Sequence, residues 1–366
     1  MFTVDYVSLA TSTYDNMSAT GFMSSFEAQL ATHYPNSQID AQNYWQPGTA
    51  DPNSALNISP LLHYDLLRLD GPDSRKFLQG QTSCDWQQIS ETRSSRGAYC
   101  NLKGRVISSF VGATPNDDCA LLRMAADLCD STRVLLNKYI VFSKAKISET
   151  RRQHHVIGLW GDDAHARITA VFGHCPDTEL ATYSDGADAV VVQLDADGKR
   201  FECWLSDQRA RELWPSLSSG ASVVSAGRWE ADNIRAGLAD ICAATQDLFI
   251  PQQLNYQLTG ALNFKKGCYT GQEVVARMQY RGKLKRRLYA ATLVSNTPAA
   301  PGSELFAGDN DQSIGNVVSM YCENGEALLS AVLSVAALDQ PIHLADHPAS
   351  LTLLTLPYPL PELGGD

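Results

Sequence analysis

The fold and function of this chain are best approached from nine residues, Lys265-Lys266-Gly267-Cys268-Tyr269-Thr270-Gly271-Gln272-Glu273. Thr270 and Glu273 stand three residues apart and precede an apolar run, a spacing that predicts a capping box at the start of a helix. Cys268 would then lie two residues before the N-cap, near free backbone N–H groups and the positive end of the helix dipole. Neighbouring lysines and a helix N-terminus both favour the thiolate, so the stretch predicts a reactive cysteine.

The same residues resemble the motif of the YgfZ folate-binding proteins, relatives of the glycine-cleavage T-protein (aminomethyltransferase) that support iron–sulfur enzymes. Three further segments agree with that family in order and spacing, over roughly residues 58 to 355. They are Phe77-Leu78-Gln79-Gly80-Gln81, Lys138-Tyr139-Ile140-Val141-Phe142-Ser143-Lys144 and Phe249-Ile250-Pro251-Gln252. The resemblance implies an α+β fold, with a T-protein-like folate-binding core of repeated α+β units followed by a small C-terminal antiparallel β-barrel.

The order of predicted elements is also typical of an α+β fold. Strands and helices alternate after Leu61 with hairpins between them, which argues against a doubly wound parallel sheet. The patterns predict a strand over Val141 to Ile147 and a helix over Trp229 to Leu238. Short strands separated by turn residues follow Arg287 and predict the barrel. No sequence repeat is strong enough to show a duplication by itself.

The sequence therefore predicts three parts. Residues 1–55 form an acidic, partly ordered N-terminal extension, which the family resemblance does not cover. Residues 56–287 form the folate-binding T-protein-like core, which could comprise two subdomains. Residues 288–358 form the C-terminal β-barrel.

Composition places the chain among ordinary globular proteins. It has 366 residues, of which 44% are hydrophobic and 19% charged, and no apolar run is long enough to span a bilayer. The first 67 residues contain no Lys or Arg, whereas secretory and mitochondrial leaders are basic. We therefore expect no such leader and a cytoplasmic location.

The cysteines do not predict a disulfide framework or a metal centre. There are nine of them, with no C-x-x-C pair, and we expect most to be buried in a reducing compartment. His343 and His347 are four residues apart, but Pro348 and strand-like flanks argue against a shared helix face. No metal site is predicted.

A basic run extends from Lys265 to Arg287. It carries eight Lys or Arg residues against Glu273, a net charge of +7 in 23 residues of a protein whose formal charge is −11. Such asymmetry attracts anions. We expect Lys265, Lys266, Arg277 and Arg281 to contact the polyglutamate tail of a folate, an acidic partner or a nucleic acid.

Trp229 and Tyr64 match the two family aromatics associated with folate, so the resemblance implies that they contact a tetrahydrofolate or another folate. Each would also suit a hydrophobic core. Gln79 and Gln81 could supply amide contacts to the ligand, although the end of a helix explains them equally well.

One departure concerns the hairpin Gly104-Arg105-Val106-Ile107-Ser108-Ser109. Aminomethyltransferases have an acidic pair where this chain has Ser108 and Ser109. A serine hydroxyl cannot act as a carboxylate base at neutral pH. Glycine-cleavage activity is therefore not expected.

The leading hypothesis is a folate-binding accessory protein for Fe–S cluster assembly or repair that supports Fe–S enzymes, including tRNA-modifying ones. Its partners would be folate and Fe–S enzymes or assembly proteins, with no membrane. Cys268 would be the functional thiol, through cluster ligation, sulfur or redox exchange, or trapping of a one-carbon adduct. Two alternatives stay open: a tetrahydrofolate-dependent aminomethyl or one-carbon transferase, and an RNA-binding module that uses residues 265–287 to contact tRNA.

Overall fold

The computed structural model describes residues 23–40, 43–48, 54–148, 153–186, 188–345, 347 and 349–361. This part of the chain is a mixed α+β structure with three sheets and a short two-stranded ribbon. Its helices are α1 Ser25–His33, α2 Ser74–Gln81, α3 Ala126–Asn137, α4 Ala164–Phe172, α5 Asp207–Ser218, α6 Ala226–Arg235 and α7 Gln272–Arg281. Within these ranges no helix is long and apolar enough to cross a membrane.

The N-terminal segment packs on the rest of the protein. The ribbon consists of β1 Gln38–Ile39 and β2 Trp45–Gln46, which pair antiparallel. Upstream of it, Phe26 and Leu30 of α1 are buried against α5. Residues 23–40, 43–48 and 54–55 of the predicted extension are thus part of the folded structure, while residues 1–22, 41–42 and 49–53 lie outside the described ranges.

The first sheet contains five antiparallel strands. They are β4 Tyr64–Asp70, β5 Ser95–Cys100, β6 Val106–Asn116, β7 Cys119–Ala125 and β8 Lys146–Ser148. Their order is β5-β6-β7-β4-β8. Helices α2 and α3 pack against this sheet and complete its core.

The second sheet contains six strands in the order β10-β11-β12-β9-β3-β13. They are β3 Asn57–Pro60, β9 His154–Trp160, β10 Thr182–Ser184, β11 Ala189–Gln193, β12 Arg200–Ser206 and β13 Ser222–Val223. All neighbours are antiparallel except β13, which runs parallel to β3. Helices α4 and α5 contribute to its core.

The two sheets are built from the same succession of elements, which confirms the predicted repeated α+β units. Each unit runs strand, helix, three strands, helix, strand: β4-α2-β5-β6-β7-α3-β8 and β9-α4-β10-β11-β12-α5-β13. In both, the first strand ends at a glycine with positive φ, 121° at Gly71 and 123° at Gly161. A Cβ at either position would lie 2.3 Å from a backbone carbonyl oxygen, so both turns require glycine.

The C-terminal region is a third, six-stranded antiparallel sheet. Its strands are β14 Arg286–Val294, β15 Glu304–Ala307, β16 Gly315–Glu323, β17 Glu326–Ser334, β18 Ile342–Leu344 and β19 Thr352–Leu354. The order β18-β15-β16-β17-β14-β19 leaves β18 and β19 as edges. A backbone hydrogen bond of 2.7 Å from the Leu351 N–H to the Ile342 carbonyl oxygen joins the two ends of this sheet, as expected for the predicted small antiparallel barrel. Helix α6 packs on it through Ala231 and Ile234.

Two local predictions are corrected. The strand expected over Val141 to Ile147 is wrong, because residues 140–142 form a 3₁₀ turn and only Lys146–Ser148 is extended. Val141 and Phe142 are both exposed, at 68% and 96%, so the segment lacks the alternating burial of a strand. The helix expected from Trp229 begins earlier, at Ala226, because the Ser225 hydroxyl caps it by accepting from the Gly227 N–H.

Candidate ligand site and cysteine loop

A buried ion-pair network lies where the two repeated units meet. Arg123 on β7 donates from Nε to Glu202 Oε2 on β12, at 3.1 Å. It also donates from Nη1 to Asp240 Oδ2, at 2.8 Å, in the segment after α6. Arg123 is 4% and Glu202 0% exposed. One guanidinium thus compensates carboxylates from two different parts of the fold, which fixes their relative positions.

Tyr64 lies at the centre of this network. Its hydroxyl donates to Asp240 Oδ2 at 2.8 Å, and the Arg123 guanidinium lies 4.0 Å from the centre of its ring. Asn233 Nδ2 donates to the Tyr64 hydroxyl at 3.3 Å and to Glu230 Oε2 at 3.0 Å. We call these six residues the central network: Tyr64, Arg123, Glu202, Glu230, Asn233 and Asp240.

Trp229 adjoins the central network and is fully buried. The Arg200 guanidinium lies 4.5 Å from its ring centre and donates to Asn233 Oδ1 at 2.9 Å. Trp229 and Tyr64 also share one hydrophobic cluster. Trp229 and Tyr64, the two aromatic residues predicted from the sequence to contact folate, therefore lie in one cluster beside the central network.

The carboxyl groups of the central network differ in their proton affinity. Burial, together with the nearby charge of Asp240, raises the pKa of Glu230 to about 7. Burial alone would also raise the pKa of Asp240, but the charge and hydrogen bond of Arg123 hold it below its ordinary value. At neutral pH Asp240 is thus an anion, whereas Glu230 titrates.

The hairpin that lacks the acidic pair meets this network through Ser109. The Ser109 hydroxyl donates to Asp240 Oδ1 at 3.0 Å and accepts from the Ile241 N–H at 2.8 Å. A cavity of about 30 Å³ adjoins this contact, lined among others by Arg123, Asn233 and Asp240. The hairpin thus contacts a carboxylate that belongs to the segment after α6, although it carries no acidic residue at Ser108 and Ser109.

Cys268 lies elsewhere, on the surface. All nine cysteines are free, and Cys268 is the exposed one. Helix α7 begins at Gln272 with Gly271 as N-cap in the left-handed conformation, without a side-chain cap. The predicted capping box is therefore wrong: the Thr270 hydroxyl donates instead to Gln81 Oε1, at 3.2 Å. A left-handed glycine ends the loop because a Cβ at Gly271 would lie 2.3 Å from the Asn101 carbonyl oxygen.

Lys266 has a different position from the one expected. It is 8% exposed, and its Nζ donates to the carbonyl oxygens of Gln79 at 2.6 Å, of Cys84 at 2.8 Å and of Thr82. Those carbonyls lie at and just after the C-terminus of α2, where a cation is favourable. The Lys266 ammonium thus donates to carbonyls within the protein and holds residues 265–271, here called the cysteine loop, against α2. It is not placed to meet an outside anion.

Gln79 and Gln81 serve local contacts. Gln79 donates to Asp85 Oδ1 at 3.0 Å and accepts from the Trp86 N–H at 2.7 Å, while Gln81 accepts from Thr270. Both therefore brace the turn after α2 and the cysteine loop. A ligand contact by either remains a prediction.

The other cations of the basic run divide by exposure. Lys265, Arg277 and Arg281 are exposed, as are Lys283 and Lys285. Arg287 is buried, at 6% exposure. The exposed members could attract an anion. The side chains of Lys265, Arg277 and Arg281 are therefore accessible, as their predicted anion contact requires.

Sequence reasoning missed most of the central network. The overlooked residues are Arg123, Glu202, Glu230, Asn233 and Asp240. One signal was present: Arg123 interrupts the apolar strand Cys119–Ala125, and Glu202 lies among the apolar residues of the strand Arg200–Ser206. A charge inside a buried strand needs a partner. Among the described residues, no cluster of three or more His, Cys, Asp or Glu side chains could hold a metal ion.

Two α+β units followed by a small C-terminal antiparallel barrel are the architecture of a T-protein-like fold. The glycine cleavage system aminomethyltransferase T from Bartonella henselae superposes with a TM-score of 0.68 over 90% of this chain and 96% of that one, at 15% identity. The fold is thus shared although the sequences have diverged.

Curated relatives assign the family. The chain is 32% identical to the tRNA-modifying protein YgfZ of Shigella sonnei over 318 residues, 86% of this chain and 97% of the relative. The protein of the same name from Klebsiella pneumoniae is 32% identical over 311 residues, 84% and 94% of the two chains. The chain belongs to the YgfZ family. No protein-family model matches the sequence.

Proposed function

We propose that this protein binds a tetrahydrofolate at the central network and acts as an accessory protein for Fe–S cluster assembly or repair. The enzymes it supports would include tRNA-modifying ones, and Cys268 would be its functional thiol. Support comes from the family, whose members carry the name tRNA-modifying protein, and from the T-protein-like fold. The observation that carries the ligand site is a set of buried polar atoms at the junction of the two units.

These atoms have no hydrogen-bond partner among the described residues. They are Trp229 Nε1, Glu202 Oε1 and the two ring nitrogens of His63. Buried polar atoms normally find partners, because leaving one unpaired costs about 1–3 kcal/mol. They combine donors with acceptors, as the edge of a pterin does with its N–H groups, ring nitrogens and carbonyl oxygen. This mixture of donors and acceptors supports a nitrogen heterocycle such as a pterin as the ligand.

Individual roles follow from the geometry. Asp240, an anion at neutral pH, would accept from the N–H edge of the pterin, and Trp229 and Tyr64 would supply aromatic surface. The exposed cations Lys265, Arg277 and Arg281 would attract the glutamate carboxylates of the tail. A bound tetrahydrofolate would supply a carrier for one-carbon units.

The thiol chemistry of Cys268 stays open among cluster ligation, sulfur or redox exchange and capture of a one-carbon adduct. Its exposure sets it apart from the other cysteines, since burial raises the pKa of thiols such as Cys84 and Cys100, to about 11 and about 12. Cys268 is thus the thiol that a partner protein or cluster can reach.

The transferase alternative needs a carboxylate base near the folate. Asp240 has the right location but accepts from Tyr64, Arg123 and Ser109, and its pKa is lowered. A carboxylate so stabilised as an anion is a weak base. We therefore assign Asp240 to ligand binding. This assignment would be reversed if the purified protein transferred methylene from an aminomethyl donor to tetrahydrofolate.

The RNA-binding alternative rests on the exposed cations of residues 265–287. Tyr280, at 72% exposure, is the aromatic side chain there that could stack on a base. Binding through phosphate contacts must weaken as salt rises, because counterions are released. Undetectable or salt-insensitive tRNA binding would remove this alternative.

Calorimetric titration of tetrahydrofolate tests the ligand site. Trp229→Phe keeps most of the ring volume but removes the Nε1 donor, and we expect it to bind at least ~10-fold more weakly than the wild type. Trp214→Phe is the matched control, because Trp214 is equally buried but packs between α5 and α1. Equal affinity of all three proteins would move the ligand away from Trp229, and no binding by the wild type would refute the cofactor.

We also propose a cytoplasmic location. The nine cysteines are all free, which suits a reducing compartment. Fractionation of cells that express the tagged full chain would test this proposal.

A further inference from the structure

The N-terminal segment of described residues 23–40 and 43–48, here called the arm, reaches the proposed ligand site. The match to the Shigella relative covers 86% of this chain but 97% of that protein, and the motif resemblance starts at roughly residue 58. The arm thus precedes the motif segments that carry the family resemblance. It is anchored on the second unit, where the Asp207 carboxylate accepts from the Phe26 N–H at 3.0 Å.

A short turn then carries two aromatic residues into the interior. The Asp40 carboxylate accepts from the Tyr44 N–H at 2.9 Å and from Gln46 Nε2 at 2.8 Å, which fixes the turn. Tyr44 and Trp45 are 7% and 3% exposed. Both belong to the hydrophobic cluster that contains Tyr64 and Trp229. The arm thus contributes to the core that surrounds the central network.

A chain of rings connects the arm to the network. Tyr44 packs edge-on against His63, with ring centres 5.0 Å apart, and His63 packs against Tyr64 at 4.1 Å. The carboxylates of Glu230 and Asp240 lie close enough to Tyr44 to add to burial in raising its pKa. Tyr44, His63 and Tyr64 therefore form a row of contacting rings that runs from the arm to the central network.

His63 has unused hydrogen-bonding capacity in this row of rings. Both ring nitrogens are shielded from solvent and have no hydrogen-bond partner among the described residues. Burial, then the charge of Arg123, lowers the pKa of His63 to about 3, so the imidazole is neutral at physiological pH. A neutral imidazole offers one donor and one acceptor, which complements the edge of a nitrogen heterocycle.

We infer that His63 is a further ligand-binding residue. Tyr44 of the arm is the positioning residue that holds the His63 ring against Tyr64. This inference rests on the proposed folate site. It predicts that the arm contributes to affinity for the heterocycle, as well as to stability.

Calorimetric titration of tetrahydrofolate into the full chain and four variants tests it. Tyr44→Ala removes the ring that holds His63, and His63→Phe keeps a ring of similar size but removes both nitrogens; each should weaken binding by at least ~10-fold. Tyr44→Phe keeps the edge-on contact and should bind like the wild type. Leu30→Ala also truncates a buried arm residue, but one that packs against α5 in another cluster, and it should keep wild-type affinity.

The outcomes separate the inference from the proposed function. Wild-type affinity in Tyr44→Ala and His63→Phe, with binding lost in Trp229→Phe, would overturn the role of the arm and leave the folate site standing. Equal weakening by Leu30→Ala and Tyr44→Ala would also overturn it, since the arm would then act through stability alone. No binding by the wild type would refute the folate site itself. If Tyr44→Ala does not fold, His63→Phe still decides.

Discussion

The central network and the cysteine loop are built on opposite principles. The network is interior: charges from three parts of the chain compensate one another and leave a few polar atoms unpaired. The cysteine loop lies at the surface: Cys268 is exposed, and the buried Lys266 ammonium holds the loop against α2. The proposed site for the folate heterocycle and the exposed thiol therefore lie in different regions of the fold, and we expect a substitution at Cys268 to leave the central network intact.

The largest expected effect is on the interior. Arg123→Met removes the cation between the buried Glu202 and the half-buried Asp240 and leaves both carboxylates without compensation, which should cost about 3–5 kcal/mol of the free energy of unfolding. Urea denaturation measures it. Arg209→Met is the control, because Arg209 pairs with Asp185 and Glu212 on the surface and should cost less than about 1 kcal/mol. Equal losses would show that the network does not organise the interior.

The pH dependence of stability tests the network more finely. The pKa of Glu230 is raised to about 7 in the folded protein, from an ordinary value of 4.5. Between these two pH values the carboxyl group is therefore protonated in the folded state and ionised in the unfolded state. Stability should therefore fall as pH rises from 4.5 to 7 and stay lower above that. Glu230→Gln should remove this contribution and gain up to about 3 kcal/mol at pH 8 relative to wild type. Denaturation of both proteins at pH 5 and pH 8 checks it; an unchanged pH dependence in Glu230→Gln would refute the titration of Glu230.

At the cysteine loop, adjacent lysines provide a matched pair. Lys266→Met leaves the carbonyls of Gln79, Thr82 and Cys84 without their donor and should cost about 1–3 kcal/mol. Lys265→Met removes an exposed charge and should change stability by less than about 0.5 kcal/mol. Proteolysis within the loop, together with thermal unfolding, measures both effects. Similar behaviour of the two variants would contradict the anchoring role of Lys266.

The smallest effect on stability is expected at Cys268. Cys268→Ala removes an exposed side chain and should shift the free energy of unfolding by less than about 0.5 kcal/mol. In the wild type, iodoacetamide should modify Cys268 before the other eight thiols, with the order read by mass spectrometry. Faster modification of a buried cysteine such as Cys100 would mean that the loop is not the accessible thiol site.

The sequence predicted well what depends on local pattern. The α+β class, the C-terminal antiparallel strands and the helix after Cys268 all follow from periodicity and turn residues. The duplication also has a local trace, the glycine that ends the first strand of each unit followed two residues later by Asp73 or Asp163. That trace is too short to stand out without the structure.

The site was less predictable because its contacts are distant in sequence. Arg123 and Asp240 are 117 residues apart, and the Lys266 ammonium meets carbonyls 182 to 187 residues away. Charge composition alone could not separate the buried Lys266 from the exposed Lys265. The predicted capping box was wrong for a related reason: the Thr270 hydroxyl donates to Gln81 of α2, which is distant in sequence, and Gly271 is the N-cap residue.

Parallel assays of Cys268→Ala test the central claim, that ligand binding and thiol function are separate, most directly. The variant is titrated with tetrahydrofolate by calorimetry and, in parallel, returned to a deletion strain in which Fe–S enzyme activity is measured. We expect wild-type folate affinity with no restoration of enzyme activity. Full restoration by Cys268→Ala, or loss of folate binding in a folded variant, would contradict it.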